Sequence, residues 1–472
     1  MKQFLYGLCL IAVLFSACSI SKDISAPAPA LPTNFRNSAL VPSADTGNIA
    51  DLQWRQFFTE PNLQRLIDSA IVNNYDMQIA LKNIESSRLL FKQVKWSYIP
   101  EAALSISANS ERPADNSFTG LSLKEYGFQS KHIEDYSANL SLSWEADIWG
   151  KIRNQQKGAL AAYLQTSEAR KLIQTNIVAA VSQGYYNLLM LDEQLAIAKK
   201  NFKLNDSTLQ IIKLQYEAGQ VTSLAVQQAD AQRLSAARLV PQLEQNIAIQ
   251  ENALRILAGQ LPEKILRSGT LDQITVPDNI SQGVPLSILT HRSDVLSSEL
   301  ALNIANANVG IAKAEMYPAL RITASGGVNS FKASNWFNLP ASLFGIVGGS
   351  VVQPLLDRKK LKTEYEVAKI NREKVVLQFR QSVLNAVGEV SDALVRIEKL
   401  KAEYIIAANR VKTLEAATGN ANQLFKNGMA NYLEVVAAQG NVLQSELELV
   451  AVKESELSAV ADLYRSVGGG WR

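Results

Sequence analysis

The chain has 472 residues, 47% of them hydrophobic, and carries 47 Lys and Arg against 44 Asp and Glu for a net charge of +3. That balance, with no dense basic stripe interleaved with aromatics, excludes a nucleic-acid footprint. Two cysteines, Cys9 and Cys18, and two distant histidines, His132 and His291, offer neither a disulfide framework nor a zinc site of the usual kind.

Residues 1–17 read as a leader: Lys2 is the positive start, Phe4 to Phe15 the apolar stretch, and Ser16-Ala17-Cys18 follows where a small-residue cleavage site belongs. The arrangement resembles a bacterial lipoprotein signal, which implies acylation of Cys18. Residues 18–50, rich in Ala, Pro, Ser and Asn, read as a tether. No later run is long and apolar enough for a membrane helix. If the chain crosses a membrane, it does so as a closed β-barrel, the other way to satisfy every backbone group in lipid. One acyl chain anchors only marginally, so the barrel or further acylation must do the holding.

A first repeat is expected over 51–260. Structure is expected to begin with the segment Trp54 to Ile67, followed by an amphipathic helix through Tyr98 that Pro100 ends. A β-hairpin follows at about 101–146: Leu104, Ile106 and Ala108 alternate with Ser105, Ser107 and Asn109, and Ala138, Leu140, Leu142 and Trp144 with Asn139, Ser141 and Ser143. Small polar residues on one face and apolar residues on the other suit a lumen and a lipid side, with Trp144 and Trp149 in an interfacial belt. A long helix then runs from about Arg153 to Glu217, roughly 100 Å at the rise of an α-helix. Val181, Leu188, Leu195, Phe202, Leu209 and Tyr216 recur every seven residues along it, the mark of helices wound on one another. The return helix contains Pro241, expected to bend it.

Residues 261–284 read as a connector, and 285–466 replay the order. A helix ends at Tyr317-Pro318, strands lie within 319–354, and a second heptad series runs Val390, Ile397, Tyr404, Val411, Thr418, Phe425. The first hairpin is longer than the second by about nine residues, which puts Glu111 to Asp135 in a surface loop. Residues 467–472, with Gly468-Gly469-Gly470, read as a flexible tail.

The two long helix pairs turn at corresponding segments, at 217–223 and 426–432, which keep the glycine at the same place. Gly219 and Gly428 stand where a left-handed residue closes a helix. Thr222 or Ser223, and Asn431, follow as N-cap candidates.

Nothing in the sequence carries catalytic chemistry: there is no nucleophile elbow, phosphate loop or Cys-His pairing. No cofactor and no enzymatic activity are expected. Four strands cannot close a membrane barrel, since small barrels need about eight, so several copies must share one. Three copies would give twelve strands, and other numbers are physically allowed.

The order helix, β-hairpin, two long helices, repeated once, resembles the TolC-type outer-membrane efflux channels. The motifs are Trp54-x-x-Phe57-Phe58-x-Glu60-Pro61-x-Leu63-x-x-Leu66-Ile67, Trp144-Glu145-Ala146-Asp147-Ile148-Trp149-Gly150-Lys151-Ile152-Arg153, Tyr216-x-x-Gly219 and Asn431-Tyr432-Leu433-Glu434-Val435. The resemblance implies a mixed α and β membrane protein: a homotrimer with a twelve-stranded barrel continuous with an α-helical periplasmic tunnel. Its lipoprotein branch partners a periplasmic adaptor and an inner-membrane resistance-nodulation-division pump. The chain would then be a passive exit duct for drugs or other small toxic compounds. The alternatives are a channel for metal-ion efflux or type I protein secretion and, from another class, a periplasmic coiled-coil adaptor without a pore. The last fits the heptads but not the paired hairpins.

For the turns, the resemblance implies adaptor docking at Gly219, Val221, Leu224, Gly428, Ala430 and Leu433. Packing of Val221 and Leu224 against the neighbouring turn is the competing reading. Glu434 is expected in a ring of carboxylates around the closed periplasmic aperture. Its spacing from Asn431 also fits the N3 acid of a capping box.

Overall fold

The computed structural model describes residues 49–126, 132–267, 269–274 and 291–471. The leader, Cys18, the tether through residue 48, part of the connector and residues 285–290 of the second repeat lie outside them. The described chain divides into two compact units. One comprises 86–163 and 300–376; the other comprises 49–85, 164–299 and 377–471 in its described part.

The amino-terminal helical region is several elements. A short α1 (Trp54–Phe57) precedes α2 (Pro61–Asn73), whose first turn is set by Pro61 at N1 and by the Glu60 carboxylate, which accepts from the Leu63 N–H. The expected continuous helix breaks at Asn74, which takes an extended ψ of 131°. Its Oδ1 accepts from Met77 N at 3.1 Å, so it starts α3 (Tyr75–Lys95) as an N-cap does.

Four strands form one antiparallel sheet in the order β1 (Glu101–Glu111), β2 (Ile133–Glu145), β3 (Ala319–Ser330), β4 (Leu343–Val352). Both expected hairpins are present, and β2 and β3 pair across the repeats. The register sets Leu104 opposite Leu140 and Ile106 opposite Ala138; across the next seam Leu142 meets Ala324 and Trp144 meets Ile322. One face is therefore apolar, and it is open: Leu104 is 72% exposed and Val347 83%. The other face carries Ser105, Ser107, Asn139, Ser141, Thr323 and Ser325. The outer edges of β1 and β4 have no strand beside them among the described residues.

The first hairpin loop, 112–132, is longer by nine residues than its counterpart 331–342, as the spacing of repeats required. It holds an unanticipated helix, α4 (Phe118–Glu125), started by Ser117, whose hydroxyl accepts from Gly120 N at 3.1 Å.

The long helices match between repeats residue for residue in length. Helices α5 (Lys151–Glu217) and α8 (Lys360–Lys426) have 67 residues each, and the returning α6 (Ser223–Leu257) and α9 (Tyr432–Ser466) have 35 each. Asp147 starts α5 by accepting from the Ile152 and Arg153 N–H groups. Pro241 lies inside α6 without ending it. In the helical unit the heptad positions Val181, Leu188, Leu209, Val390, Ile397, Val411 and Phe425 are buried. Helix α7 (Ser293–Glu315) precedes β3. At the connector, Arg267 is tied to Glu251 and to Asp192, with Nη2 to Asp192 Oδ1 at 2.7 Å.

Residues 467–471 are not a loose tail. Gly468, Gly469 and Gly470 are buried, Gln174 Nε2 donates to Gly470 O at 3.2 Å, and Lys171 Nζ sits 4.4 Å from the Trp471 ring centre. The physical reason lies in the duplication. Gly468 (φ +95°) closes α9 as Gly259 (φ +66°) closes α6, each followed by a residue whose N–H reaches back five positions. A Cβ at Gly259 would stand 2.2 Å from Asn73 O, and one at Gly468 2.6 Å from His291 O.

The same joint has a second strand of attachment. Asn74 Nδ2 donates to Leu257 O, the last residue of α6, at 2.9 Å. Arg292 Nη1 donates to Ser466 O, the last residue of α9, at 3.0 Å. Arg292 also holds Asp294 in a bidentate pair at 3.0 and 2.6 Å and Glu389 at 3.0 Å. Burial alone would raise the Asp294 carboxyl, but the guanidinium outweighs it and holds Asp294 below the ordinary carboxylate value. His291, beside this joint, lies 3.1 Å from Asp51 through Nε2.

Candidate functional site: the paired helical turns

Each turn is a Schellman closure. Gln220 N donates to Gln215 O at 2.8 Å and Gly219 N to Tyr216 O at 2.9 Å; Met429 N donates to Leu424 O at 2.8 Å and Gly428 N to Phe425 O at 3.1 Å. Gly219 and Gly428 take φ of +72° and +71°. A Cβ at either would meet nothing within 4 Å, so backbone conformation alone selects glycine there.

The two turns share a small core of Leu209, Ile212, Ala225, Ala229, Phe425 and Val435. Sequence periodicity pointed to Leu209 and Phe425, whereas Ile212 and Val435 become visible only once the two turns stand together. Of the six residues expected to dock a partner, Val221 and Ala430 are half-buried against this core. For Val221, packing between turns is the structural role. Gly219 and Gly428 are exposed, as are Leu224 (56%) and Leu433 (52%). Met429, which no sequence argument singled out, is exposed beside them. Tyr432 donates its hydroxyl to Gln228 Oε1, a bond between the repeats. Deeper in, Gln439 Nε2 reaches Thr208 Oγ1 at 3.0 Å and Thr418 Oγ1 reaches Ala438 O at 3.2 Å.

The second turn carries the capping box that spacing allowed. Asn431 Oδ1 accepts from Glu434 N, and Glu434 Oε2 accepts from Asn431 N, both at 3.1 Å. Thr222, at the matching place in the first turn, makes no side-chain cap bond, and buried Ala225 stands where Glu434 does. Glu434 is itself exposed and one of its carboxylate oxygens is engaged in the cap, so a capping role and an outward charge coexist in the single chain.

Among the described residues no cluster of three or more His, Cys, Asp and Glu has metal-binding geometry. The arrangement is one of surfaces: two equivalent turns bearing exposed apolar groups, and a sheet with one apolar face and one that bears Ser, Thr and Asn along β1 to β3, with Phe344 and Ile346 on it from β4.

Residues 66–260 and 284–469 match the outer membrane efflux protein family, more than half of the chain. The chain belongs to that family. The two matched segments follow the two repeats. The chain is 28% identical to the toluene efflux pump outer membrane protein TtgF of Pseudomonas putida, over 98% of this chain and 96% of that protein. It is 25% identical to the probable outer membrane lipoprotein SilC of Salmonella typhimurium, over 100% and 99%. It is 26% identical to the cation efflux system protein CusC of Escherichia coli, over 98% of each. Its fold is that of solved outer-membrane channels. The CusC structure superposes with a TM-score of 0.83 at 24% identity, over 96% of this chain and all of that one. The open-state MtrE channel of Neisseria gonorrhoeae gives 0.84 at 22%, over 96% and 99%. This member of the outer membrane efflux proteins is thus a TolC-type channel protein, as its motif order implied.

Proposed function

We propose that three copies of this chain form the outer-membrane exit duct of a tripartite efflux system, carrying drugs or other small toxic compounds from periplasm to exterior. One observation carries the reading: a four-stranded sheet whose two edges are unpaired among the described residues and whose apolar face is open. An open sheet in lipid leaves backbone groups unsatisfied at both edges. Pairing β4 of one copy with β1 of the next, three times round, gives a closed barrel of twelve strands with the Ser- and Thr-bearing face inward.

In this reading Cys18 is acylated and the anchor assists the barrel. The exposed Leu224 and Leu433, with the glycines beside them, receive the helical hairpins of a periplasmic adaptor, which links the duct to a resistance-nodulation-division pump. Glu434 then serves as both cap and gate, three carboxylates around the axis attracting cations. The relatives include a toluene efflux protein and a cation efflux protein, each aligned over 98% of this chain. That pairing supports a duct whose cargo is chosen mainly by its pump.

The test is single-channel recording of the purified protein in planar bilayers, with particle symmetry by electron microscopy. Discrete conductance steps from threefold particles are expected. Monomeric particles without conductance overturn the proposal. Changing Cys18 to Ser behind a standard cleavable leader should leave the protein in the membrane fraction; a soluble periplasmic product contradicts the barrel.

A further inference from the structure

Toward Tyr136 the apolar face of the sheet closes on aromatic rings: beyond Tyr136 the same face carries Glu134, paired to Ser110, and the Tyr136 hydroxyl donates to the Glu134 carboxylate at 3.0 Å. Along β2 it runs Tyr136, Ala138, Leu140, Leu142, Trp144, with Tyr136 paired to Ala108 and Ser330 on the same face. At one end Trp144 is fixed by donating its indole N–H to Tyr98 O at 3.0 Å. At the other, the loop 331–342 folds so that the Trp336 ring lies 5.6 Å from the Tyr136 ring and 5.1 Å from Phe337. Tyr136 lies on the apolar face opposite Ser330, the last residue of β3, so Trp336 packed on it adds a second ring to the aromatic end of that face. Phe337, 70% exposed, adds a third.

This loop is held by its own bonds. Buried Ser342 accepts through its carbonyl from Asn329 N at 2.8 Å, donates its N–H to Asn338 O at 3.0 Å, and donates its hydroxyl to Asn335 O at 2.6 Å. The position of the two rings is therefore a built feature of the fold.

Magnitudes decide what the rings meet. Eight residues separate Tyr136 from Trp144, about 26 Å along a strand, or about 20 Å along the membrane normal at a tilt of about 40°. A barrel's apolar band is about 25 Å tall and is bounded by aromatic girdles at both interfaces. The band between Tyr136 and Trp144 alone is a little short, and the rings of Trp336 and Phe337 supply the missing height.

We propose that Tyr136, Trp336 and Phe337 form the outer aromatic girdle of this channel, seated at the boundary between acyl chains and headgroups of the outer leaflet, and that the shorter loop 331–342 thereby sets the depth of insertion. Trp144 belongs to the opposite girdle. The inference rests on the barrel reading, and continuity with the lipid-facing sheet names lipid as the occupant.

The test uses depth-dependent quenching in reconstituted full-length trimers. The chain has six tryptophans; two variants keep one each, Trp336 or Trp144, the others being replaced by Phe. In vesicles of phosphatidylcholine brominated at carbons 6 and 7, emission of each variant is expected to fall at least twofold against unbrominated vesicles. If Trp144 is quenched and Trp336 is not, the loop faces water or another copy, and the inference falls while the barrel stands. If neither is quenched, the barrel reading falls with it. Should the single-tryptophan variants not assemble, Trp336→Phe in the otherwise unchanged chain must lower the bromine-quenched fraction of emission, and an unchanged fraction overturns the proposal.

Discussion

The joint that closes each repeat is built twice on one backbone plan and with two different chemistries. In the first repeat a neutral amide, Asn74, ties the start of α3 to the end of α6. In the second a buried guanidinium, Arg292, ties the start of α7 to the end of α9 and gathers two carboxylates on the way. The glycines behind them, Gly259 and Gly468, face the backbone carbonyls of Asn73 and His291 alike. Duplication has held the close approach of main chains and let the polar latch diverge. The difference should appear in how each joint fails.

The largest effect is expected from Arg292→Ala. Removing it strands Asp294 and Glu389, at a cost of about 3–5 kcal/mol for a buried pair that loses one partner. Asn74→Ala removes a cap and one hydrogen bond and should cost about 1–2 kcal/mol. Thermal denaturation of the two variants in detergent measures the gap; equal losses would mean that the ionic latch contributes no more than the neutral one. The latches also differ in acid. Because the folded Asp294 value is depressed, its contribution is complete above the unfolded value, about 3.9, and is lost as pH falls through the lower folded value. Asp294→Asn should therefore flatten the stability curve below about pH 4, whereas Asn74→Ala should shift it evenly.

Next come the glycines. Gly259→Ala and Gly468→Ala each press a methyl onto a carbonyl and add left-handed strain, on the order of 2–4 kcal/mol together. Gly219→Ala and Gly428→Ala meet open space and should lose only about 1–2 kcal/mol. A Gly468 variant as mild as the turn variants would mean that the carboxy-terminal segment is loosely held after all.

The turns offer a smaller contrast of the same kind. Asn431→Ala should cost about 1 kcal/mol, while Thr222→Ala, which removes no cap bond, should be nearly silent. The smallest change in stability is expected for Glu434→Gln, a few tenths of a kcal/mol, because the amide can still accept from Asn431 N–H. Its effect should show instead in conductance, as loss of block by multivalent cations added on the periplasmic side. Cation block that survives in this variant would leave Glu434 as a cap alone.

Much of this architecture is legible in the sequence because it rests on periods. Sevens in Val181 to Tyr216 give the long helices, twos in Leu104 to Ala108 give the strands, and the offset between Gly219 and Gly428 gives the duplication. The helix break at Asn74 was hidden because the apolar pattern continues through it; in the fold the Asn74 side chain caps α3 locally and ties the break to Leu257 O. The packed carboxy terminus was hidden by composition, since three glycines at a chain end look like a frayed tail. The signal was present nonetheless: Gly468 stands at the same offset from Gly259 as Gly428 from Gly219. The exposed apolar groups of the turns and sheet were readable as pattern. The loop that seats Trp336 was not, because its shape is set by bonds to Ser342 that no period announces.

The pairing of β2 with β3 has a consequence for the order in which the protein matures. Strand β2 ends at Glu145 and β3 begins at Ala319, so the central seam of the sheet joins segments separated by a whole repeat. A two-stranded hairpin is marginal by itself in water, and closing so long a loop is slow. During synthesis and export the first hairpin therefore travels without its partner, its apolar face and both edges uncovered. The helical joint closed by Asn74 and Gly259 needs only residues of the first repeat and can form while the second is still being made. Maturation should then begin at the helices that Asn74 and Gly259 join, with the four-stranded sheet the last part to become whole.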